Sequence, residues 1–387
     1  MRKIGKKLIA LVLTFLMVFC VFAIVGCSGG TEDESPDGTK VTELSDESYA
    51  ELTGIIETAQ KQPEFTAPGD PYDINAAVAG KTILTIPMST GNPFPTGISK
   101  CLADLGKKLG VTVKIWENQG EVSEWVQGVE SAANLGANVV DLSAGSNPNN
   151  LGAQIEVLQN QGIYVQSSHF SDVSQKVDYV DANCGAPYAN GGKLLADWAI
   201  LKGGADVHIV IITSNEVPSA EAMVNAIETE FKKYAPDATR TYINVPCNEW
   251  ASKIQTEVLT AVQKDKDLDY VAAIYDPMTQ YIVPALEMAN AQDNVKVIGF
   301  NGTPFVIDYV REGKVEMTIG ENLDWVAHAA MDTAGRLLAG EPIPKDTMIP
   351  LYIWTAENAE SAGIPAEYNA GYGDVYIEGY NKMWMIK

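Results

Sequence analysis

The residues able to cleave or transfer a bond are few in this chain, and they are poorly spaced for it. Residues 185–194, GAPYANGGKL, come nearest to a phosphate-binding loop, but the glycine spacing is wrong and Leu194 stands where a Ser or Thr would hold magnesium. They read as a turn followed by a helix start. Residues 265–269, DKDLD, begin like a calcium loop yet lack its turn glycine and its terminal glutamate, which makes them a solvated turn. No GxSxG elbow and no HExxH pair occurs. Of the three histidines, His208 opens an apolar strand and His328 lies within a helix, so both read as structural. No metal and no cofactor is expected. His169 differs, because it follows the strand IYVQSS at a place from which a side chain reaches a crevice.

Rings are the stronger signal. Phe94, His169, Phe170, Trp250, Tyr275 and Trp325 all lie just beyond strands or at helix starts. A ring in such a position covers the apolar face of a sugar or another planar ligand, although any one of them serves equally well as packing inside a lobe. Phe94 stands in the stretch TIPMSTGNPFPTG, where prolines restrict the backbone and present Asn92 and Phe94 to whatever lies outside the strand.

The elements that position these residues alternate. From Lys81 the strands TILTIPM, VTVKIW, NVVDLS and IYVQSS are separated by amphipathic helices, one of them carrying Ile98, Leu102, Leu105 and Leu109. The alternation restarts with HIVIIT, TRTYIN, YVAAIY and VKVIGF, again with helices between. Apolar strands between helices imply parallel sheets covered on both faces, so the expected fold class is α/β, two doubly wound parallel-sheet lobes. The residues that follow the strands include Ser89, Ser143, Ser167, Ser214, Asp276 and Asn301. Ligands of such sheets bind outside the carboxyl ends of the strands, so a crevice between two facing lobes is the expected site.

With 387 residues the chain exceeds a comfortable single core. Its first 26 residues stand apart: Arg2, Lys3, Lys6 and Lys7 precede a run from Leu8 to Val25 without a charge, a secretory signal pattern. The ending Gly26-Cys27 resembles a bacterial lipobox, which marks Cys27 as the lipidated residue; an uncleaved anchor is the alternative. The rest is then extracytoplasmic and tied to the cell membrane. Residues 27–80 read as the lipidated cysteine, an acidic tether and a short helix capped by Ser45 and Asp46.

Removing the signal takes away four of the 27 basic residues, leaving 23 against 50 acidic ones, a formal net charge of −27. Nucleic acid and anionic lipid are poor partners for such a chain. Cys101, Cys184 and Cys247 are an odd number without CxxC spacing and read as idle free thiols.

GNPFP after the first strand, ANGGKLLADWAI opening the second half, YDPMTQYIVPALEMA, VIGFNGTP and MTIGENLDWVAHAAMDTAGRLLAG stand in a telling order. By these stretches the chain from Lys81 onward resembles the type I periplasmic binding proteins, specifically the ribose-binding-like sugar receptors of ABC importers. The resemblance implies two lobes joined by three crossovers, near residues 182–184, near Glu321 and near residues 350–353. The N-terminal lobe is then residues 81–182 with 322–350, and the C-terminal lobe residues 184–320 with 351–387. It also implies a small-molecule solute, a monomer that delivers it to an ABC permease with its ATPase subunit, and no enzyme activity.

Carried over residue by residue, the family's Asn-Pro-Phe loop falls on Asn92, Pro93 and Phe94, with Pro95 replacing a second ring. Its Asp-Arg pair falls on His169 and Phe170, its second-lobe aromatic on Trp250, its Asn-Asp motif on Tyr275 and Asp276, the Asp of Gly-Phe-Asp-Gly on Asn301, and its hinge Gln on Glu321. The arginines that clamp ribose are missing, one of them falling within residues 220–223. Stacking is expected from Phe94 and Trp250, and hydrogen bonding from Asn92, His169, Tyr275, Asn301 and Glu321, with Asn215, Glu216 and Gln280 as further candidates. Without arginine for a carboxylate or phosphate, the expected ligand is a neutral sugar or polyol; the alternative is a cationic or aromatic-bearing solute such as an amine or nucleoside. A receptor serving a membrane sensor rather than a permease fits the same residues. A transcription regulator on this fold requires a helix-turn-helix before the first strand, where this chain has the lipobox and tether.

Overall fold

The computed structural model describes residues 43–386. The signal segment, Cys27 and most of the acidic tether lie outside the described residues.

Ser45 caps α1 (Asp46–Ala59) by accepting a hydrogen bond from the Ser48 amide, as the sequence predicts. A short α2 (Ile74–Val78) leads into β1 (Thr82–Pro87). Then follow α3 (Pro93–Leu109), β2 (Thr112–Ile115), α4 (Val122–Ser131), β3 (Val139–Ser143), α5 (Gly152–Asn160), β4 (Tyr164–Asp172) and β5 (Ala182–Ala186). The five strands form one parallel sheet in the order β2-β1-β3-β4-β5. Helix α3 shows why the local sequence folds as it does. Asn92 caps it, Pro93 occupies the first turn, where no amide partner is missed, and Gly110 ends it at φ 71°, a left-handed turn that favours glycine. Ile98, Leu102, Leu105 and Leu109 recur on one face and are buried.

The second half repeats the plan with α6 (Tyr188–Gly203), β6 (His208–Thr213), α7 (Pro218–Tyr234), β7 (Thr239–Asn244), α8 (Trp250–Lys264), β8 (Tyr270–Ala273), α9 (Thr279–Ala289), β9 (Lys296–Asn301), α10 (Pro304–Arg311) and β10 (Met317–Gly320). After α11 (Leu323–Ala339) come β11 (Tyr352–Trp354) and α12 (Val375–Met383). This sheet runs β11-β10-β9-β8-β6-β7, parallel except for the antiparallel β10–β11 pair. In both sheets the strand order reverses beside the first strand of the half, between β1 and β3 and between β6 and β8. Loops diverge there and leave a crevice at the carboxyl ends.

The structure departs from the expected division into lobes in two places. Residues 182–186 are β5, bonded to β4, so the first crossover falls at Pro187 and not before Cys184. The C-terminal region does not stay in the second lobe. Tyr376, Tyr380, Met383 and Trp384 are buried in the first lobe's core beside Trp325 and Ala334. The large rings of α12 need an apolar partner, and α11 supplies it. The N-terminal region divides in the same way, since Leu52 and Ile56 of α1 belong to the second lobe's core while Ile74 and Val78 of α2 belong to the first. Besides the three expected crossovers, residues 60–73 and 355–374 therefore also pass between the lobes.

Candidate functional site

A cleft of about 540 Å³ lies between the lobes, walled by the end of β4, the start of α6 and the loops after β1, β3, β6, β7, β8 and β9. From the first lobe, Asn92 spends its Oδ1 on the Phe94 amide at 3.1 Å, which fixes Phe94 at the helix start. Asn92 Nδ2 has no partner among the described residues and is left to the cleft it lines. The Phe94 ring lies 5.2 Å from the His169 ring, tilted by 54°, and 6.4 Å from Tyr368 in an edge contact. Phe170 also reaches the wall.

His169 has a left-handed backbone at φ 50° and is 4% exposed. Its Nε2 lies 2.5 Å from Glu321 Oε1 and its Nδ1 2.9 Å from the Tyr188 hydroxyl. With the proton on Nε2, the ring donates to the Glu321 carboxylate while Tyr188 donates to Nδ1. Burial, then the nearby Glu321 charge, holds the Tyr188 phenol well above its ordinary range, so it remains a donor. Both ring nitrogens are thus engaged, and His169 offers the cleft a face where the sequence suggested a hydrogen bond. Glu321 itself is 2% exposed, lies behind His169 and does not line the cleft, which corrects its expected role as a direct contact.

From the second lobe, the Trp250 ring stacks beside Tyr275 at 6.4 Å and 29°. Trp250 Nε1 donates to Ser214 Oγ at 2.8 Å and to the Val245 carbonyl at 3.1 Å, which orients the indole. The Tyr275 hydroxyl is 2.8 Å from Ser219 Oγ, so one of its two hydrogen-bonding capacities is taken. Asn301, at φ 131° and 8% exposed, turns its amide into the wall with no side-chain partner among the described residues.

Asp276 is a second correction. It is fully buried and absent from the wall, its Oδ2 accepting from the Thr303 amide and its Oδ1 from Thr318 Oγ1, both at 2.7 Å. A side chain at Gly299 would press on Oδ1, so that glycine makes room for the carboxylate. Burial pushes Asp276 up to about 7 against those hydrogen bonds. Its part is to hold the β9–α10 loop that carries Asn301.

Gln280 lines the cleft, its Nε2 bonded to the Pro277 carbonyl at 2.8 Å and its Oε1 left over. Asn215 and Glu216 do not line it: Asn215 accepts from Thr213 Oγ1 at 2.9 Å and Glu216 from the Cys247 amide at 2.6 Å. Trp325 is 1% exposed and stacks on Tyr376 at 4.8 Å inside the first lobe. His208 bonds to Asp265 at 2.8 Å and His328 stacks on Trp384, in keeping with structural roles.

Sequence reasoning missed Tyr188, Phe305 and Tyr368, all in the wall. Tyr188 sits in the GAPYANGG turn, where the first ring after a crossover was the available signal. Tyr368 carried none, because its segment follows no strand of the alternation. Cys247, read as idle, lines the cleft; desolvation at the wall, then the Glu216 carboxylate, pushes its thiol up to about 12. Among the described residues no Asp, Glu, Lys or Arg lines the cleft. Among the described residues no group of acidic, His or Cys side chains is arranged for a metal.

Residues 83–342 match a known family, the periplasmic binding protein domain. The chain belongs to the periplasmic binding protein family. Its relatives include the ribose import binding protein of Escherichia coli (strain K12), 21% identical over 271 residues, 69% of this chain and 88% of that protein. Among solved structures, a solute binding protein of an ABC transporter from Mycobacterium smegmatis with bound glycerol has a TM-score of 0.63 at 18% identity, covering 76% of this chain and 99% of that one. The Caulobacter myo-inositol binding protein bound to myo-inositol has a TM-score of 0.61 at 23% identity, covering 74% and 96%. Periplasmic binding proteins are extracytoplasmic, non-enzymatic receptors of sugar-importing ABC transporters. No helix among the described residues of this one is long and apolar enough to cross a membrane.

Proposed function

We propose that this periplasmic binding protein is the lipid-anchored, monomeric substrate-binding component of an ABC importer. It captures a small, uncharged, ring-shaped solute of the sugar or polyol type between its lobes and presents it to the permease. The observation that carries this reading is the cleft wall itself. Phe94, Phe170, Trp250, Tyr275, Phe305 and Tyr368 supply ring faces, and among the described residues no Asp, Glu, Lys or Arg lines the space. An anionic solute would enter without a cationic partner, which is costly in a desolvated site. The polar atoms left over, Asn92 Nδ2, Gln280 Oε1, the Asn301 amide and the Tyr368 hydroxyl, serve a few hydroxyls while the rings cover an apolar face. The anchor rests on Gly26-Cys27 at the end of the apolar run.

A cationic solute is the second reading, favoured by Glu321, a buried carboxylate beneath His169 whose Oε2 has no hydrogen-bond partner among the described residues. A thermal-shift panel of myo-inositol, ribose, glycerol, adenosine, choline and succinate separates the readings, since a bound solute raises the melting temperature. Stabilisation by a neutral ring compound is expected. Stabilisation by choline alone favours the second reading, and by succinate alone overturns both.

A further inference from the structure

We propose that residues 355–374 are a brace across the second crossover, which keeps the two lobes together before any solute arrives and sets Tyr368 in the cleft wall. The segment lies beyond the region matched by the family, residues 83–342.

The segment is attached to both lobes in alternation. On the second lobe, Arg311 Nη1 donates to the Gly363 carbonyl at 3.2 Å, the Ala366 amide donates to Asp308 Oδ1 at 3.0 Å, and Ala359 and Ala362 are buried in the core. Tyr368 then reaches Phe94 of the first lobe. Asn369, in a left-handed turn at φ 69°, accepts from the Asp324 amide at 3.1 Å and donates to Cys101 Sγ at 3.4 Å, both in the first lobe. Gly371 and Gly373, at φ 82° and 79°, let the chain double back. Tyr372 returns to the second lobe, where its hydroxyl accepts from Trp354 Nε1 at 3.0 Å and lies against the backbone of Gly320. Tyr376 crosses once more, donating to Asp324 Oδ2 at 2.8 Å.

The crossover between Gly320 and Asp324 is thus gripped from both ends. Asn322 Oδ1 also accepts from the Asp324 amide, at 2.8 Å, so the cap of α11 and the brace meet on one atom. A hinge opens by changing backbone angles over a few such residues. Here that change pulls Tyr372 away from Asn369 and Tyr376, and the contacts to one lobe or the other must break. The Tyr368 hydroxyl has no hydrogen-bond partner among the described residues, so the brace offers the solute a fixed ring with a free donor. That last point rests on the cleft being the solute site; the bracing does not.

The test needs no solute, so its result is independent of the function proposed above. Spin labels on genetically encoded ketone side chains at Lys100 of α3 and Lys253 of α8, both exposed, report the distance between lobes in the full chain with its native cysteines. The parent should show one narrow distance population. The variant Asn369→Gly with Tyr376→Phe, which keeps the left-handed turn and the ring but removes both links to Asp324, should gain a second, longer population. Circular dichroism checks its folding, and Asn369→Gly alone replaces it if the pair does not fold. A parent that already populates the longer distance overturns the proposal, as does a folded variant with an unchanged distribution.

Discussion

The two lobes share one strand-and-helix plan but fill it differently. In the second lobe, the inner strands place Ile209, Val210, Ile211 and Ile212 beside Val271, Ala272 and Ala273, and the buried carboxylates stand outside that layer, Asp276 beyond the end of β8 and Asp197 on α6 beside Lys193. In the first, the same layer holds Asp141, fully buried, taking Thr85 Oγ1 and Gln166 Nε2 at 3.0 Å each, while Gln166 also reaches the Ala330 carbonyl. Beyond it, Arg336 of α11, 2% exposed, bonds to Asp332 at 2.8 Å and to the Asp70 carbonyl at 2.9 Å, and lies over the Tyr72 ring. Trp384 of α12 takes the other Asp332 oxygen. The difference teaches that the first lobe threads a polar network through the central layer of its sheet, whereas the second keeps the β6 and β8 layer apolar and sets its buried carboxylates beyond it. Hydrogen bonds fix geometry, whereas apolar contact tolerates exchange.

The largest test of this contrast is Arg336→Ala, which leaves Asp332 buried and unpaired and should cost about 3–5 kcal/mol in urea unfolding. A loss no larger than that of a surface variant would end the claim that polar bonds organise the first lobe. Next comes pH. Asp276, raised by burial to about 7 when folded against 3.8 for the free group, contributes stability that is full below about pH 4 and is lost as pH rises through about 7. Asp141 is raised for the same reason and acts in the same direction. Asp276→Asn should therefore flatten the decline of the melting temperature between pH 4 and 7, and a slope parallel to the parent's would remove the assignment.

At the cleft, Trp250→Ala should weaken binding of the stabilising neutral solute by about 1–2 kcal/mol, roughly tenfold, without lowering the melting temperature of the free protein to the same degree. Equal affinity in parent and variant would assign the stacking face to the first lobe alone. The smallest effect is expected at Gly54, in the middle of α1 with nothing within 4 Å of an added Cβ. Gly54→Ala should stabilise by about 0.5–1 kcal/mol, and because α1 docks on the second lobe, any lobe-resolved unfolding should show the gain there.

Much of the fold was legible in the residues. TRTYIN is β7 to the residue, Ser45 caps α1, and the DKDLD turn holds His208 through Asp265 and Asp269. Asn92, Phe94, His169, Phe170, Trp250, Tyr275, Asn301 and Gln280 do converge on one cleft. Asp276 and Glu321 were misread because proximity to a strand end does not say whether a carboxylate faces the ligand or the loop behind it. Trp325, left open between cleft and packing, takes the packing role, because a ring at a helix start can point inward as well as outward.

By itself the sequence determined the alternation, the two lobes and the placing of the rings at strand ends, since periodicity and capping act within a few residues of the chain. It also led to the expectation of a site without arginine, and among the described residues none lines the cleft. Only the tertiary structure decided which polar atoms were already spent, because their partners come from far along the chain: Glu321 stands 152 residues from the His169 it binds. The same reason hid Tyr368, which reaches the cleft only because residues 355–374 cross between the lobes.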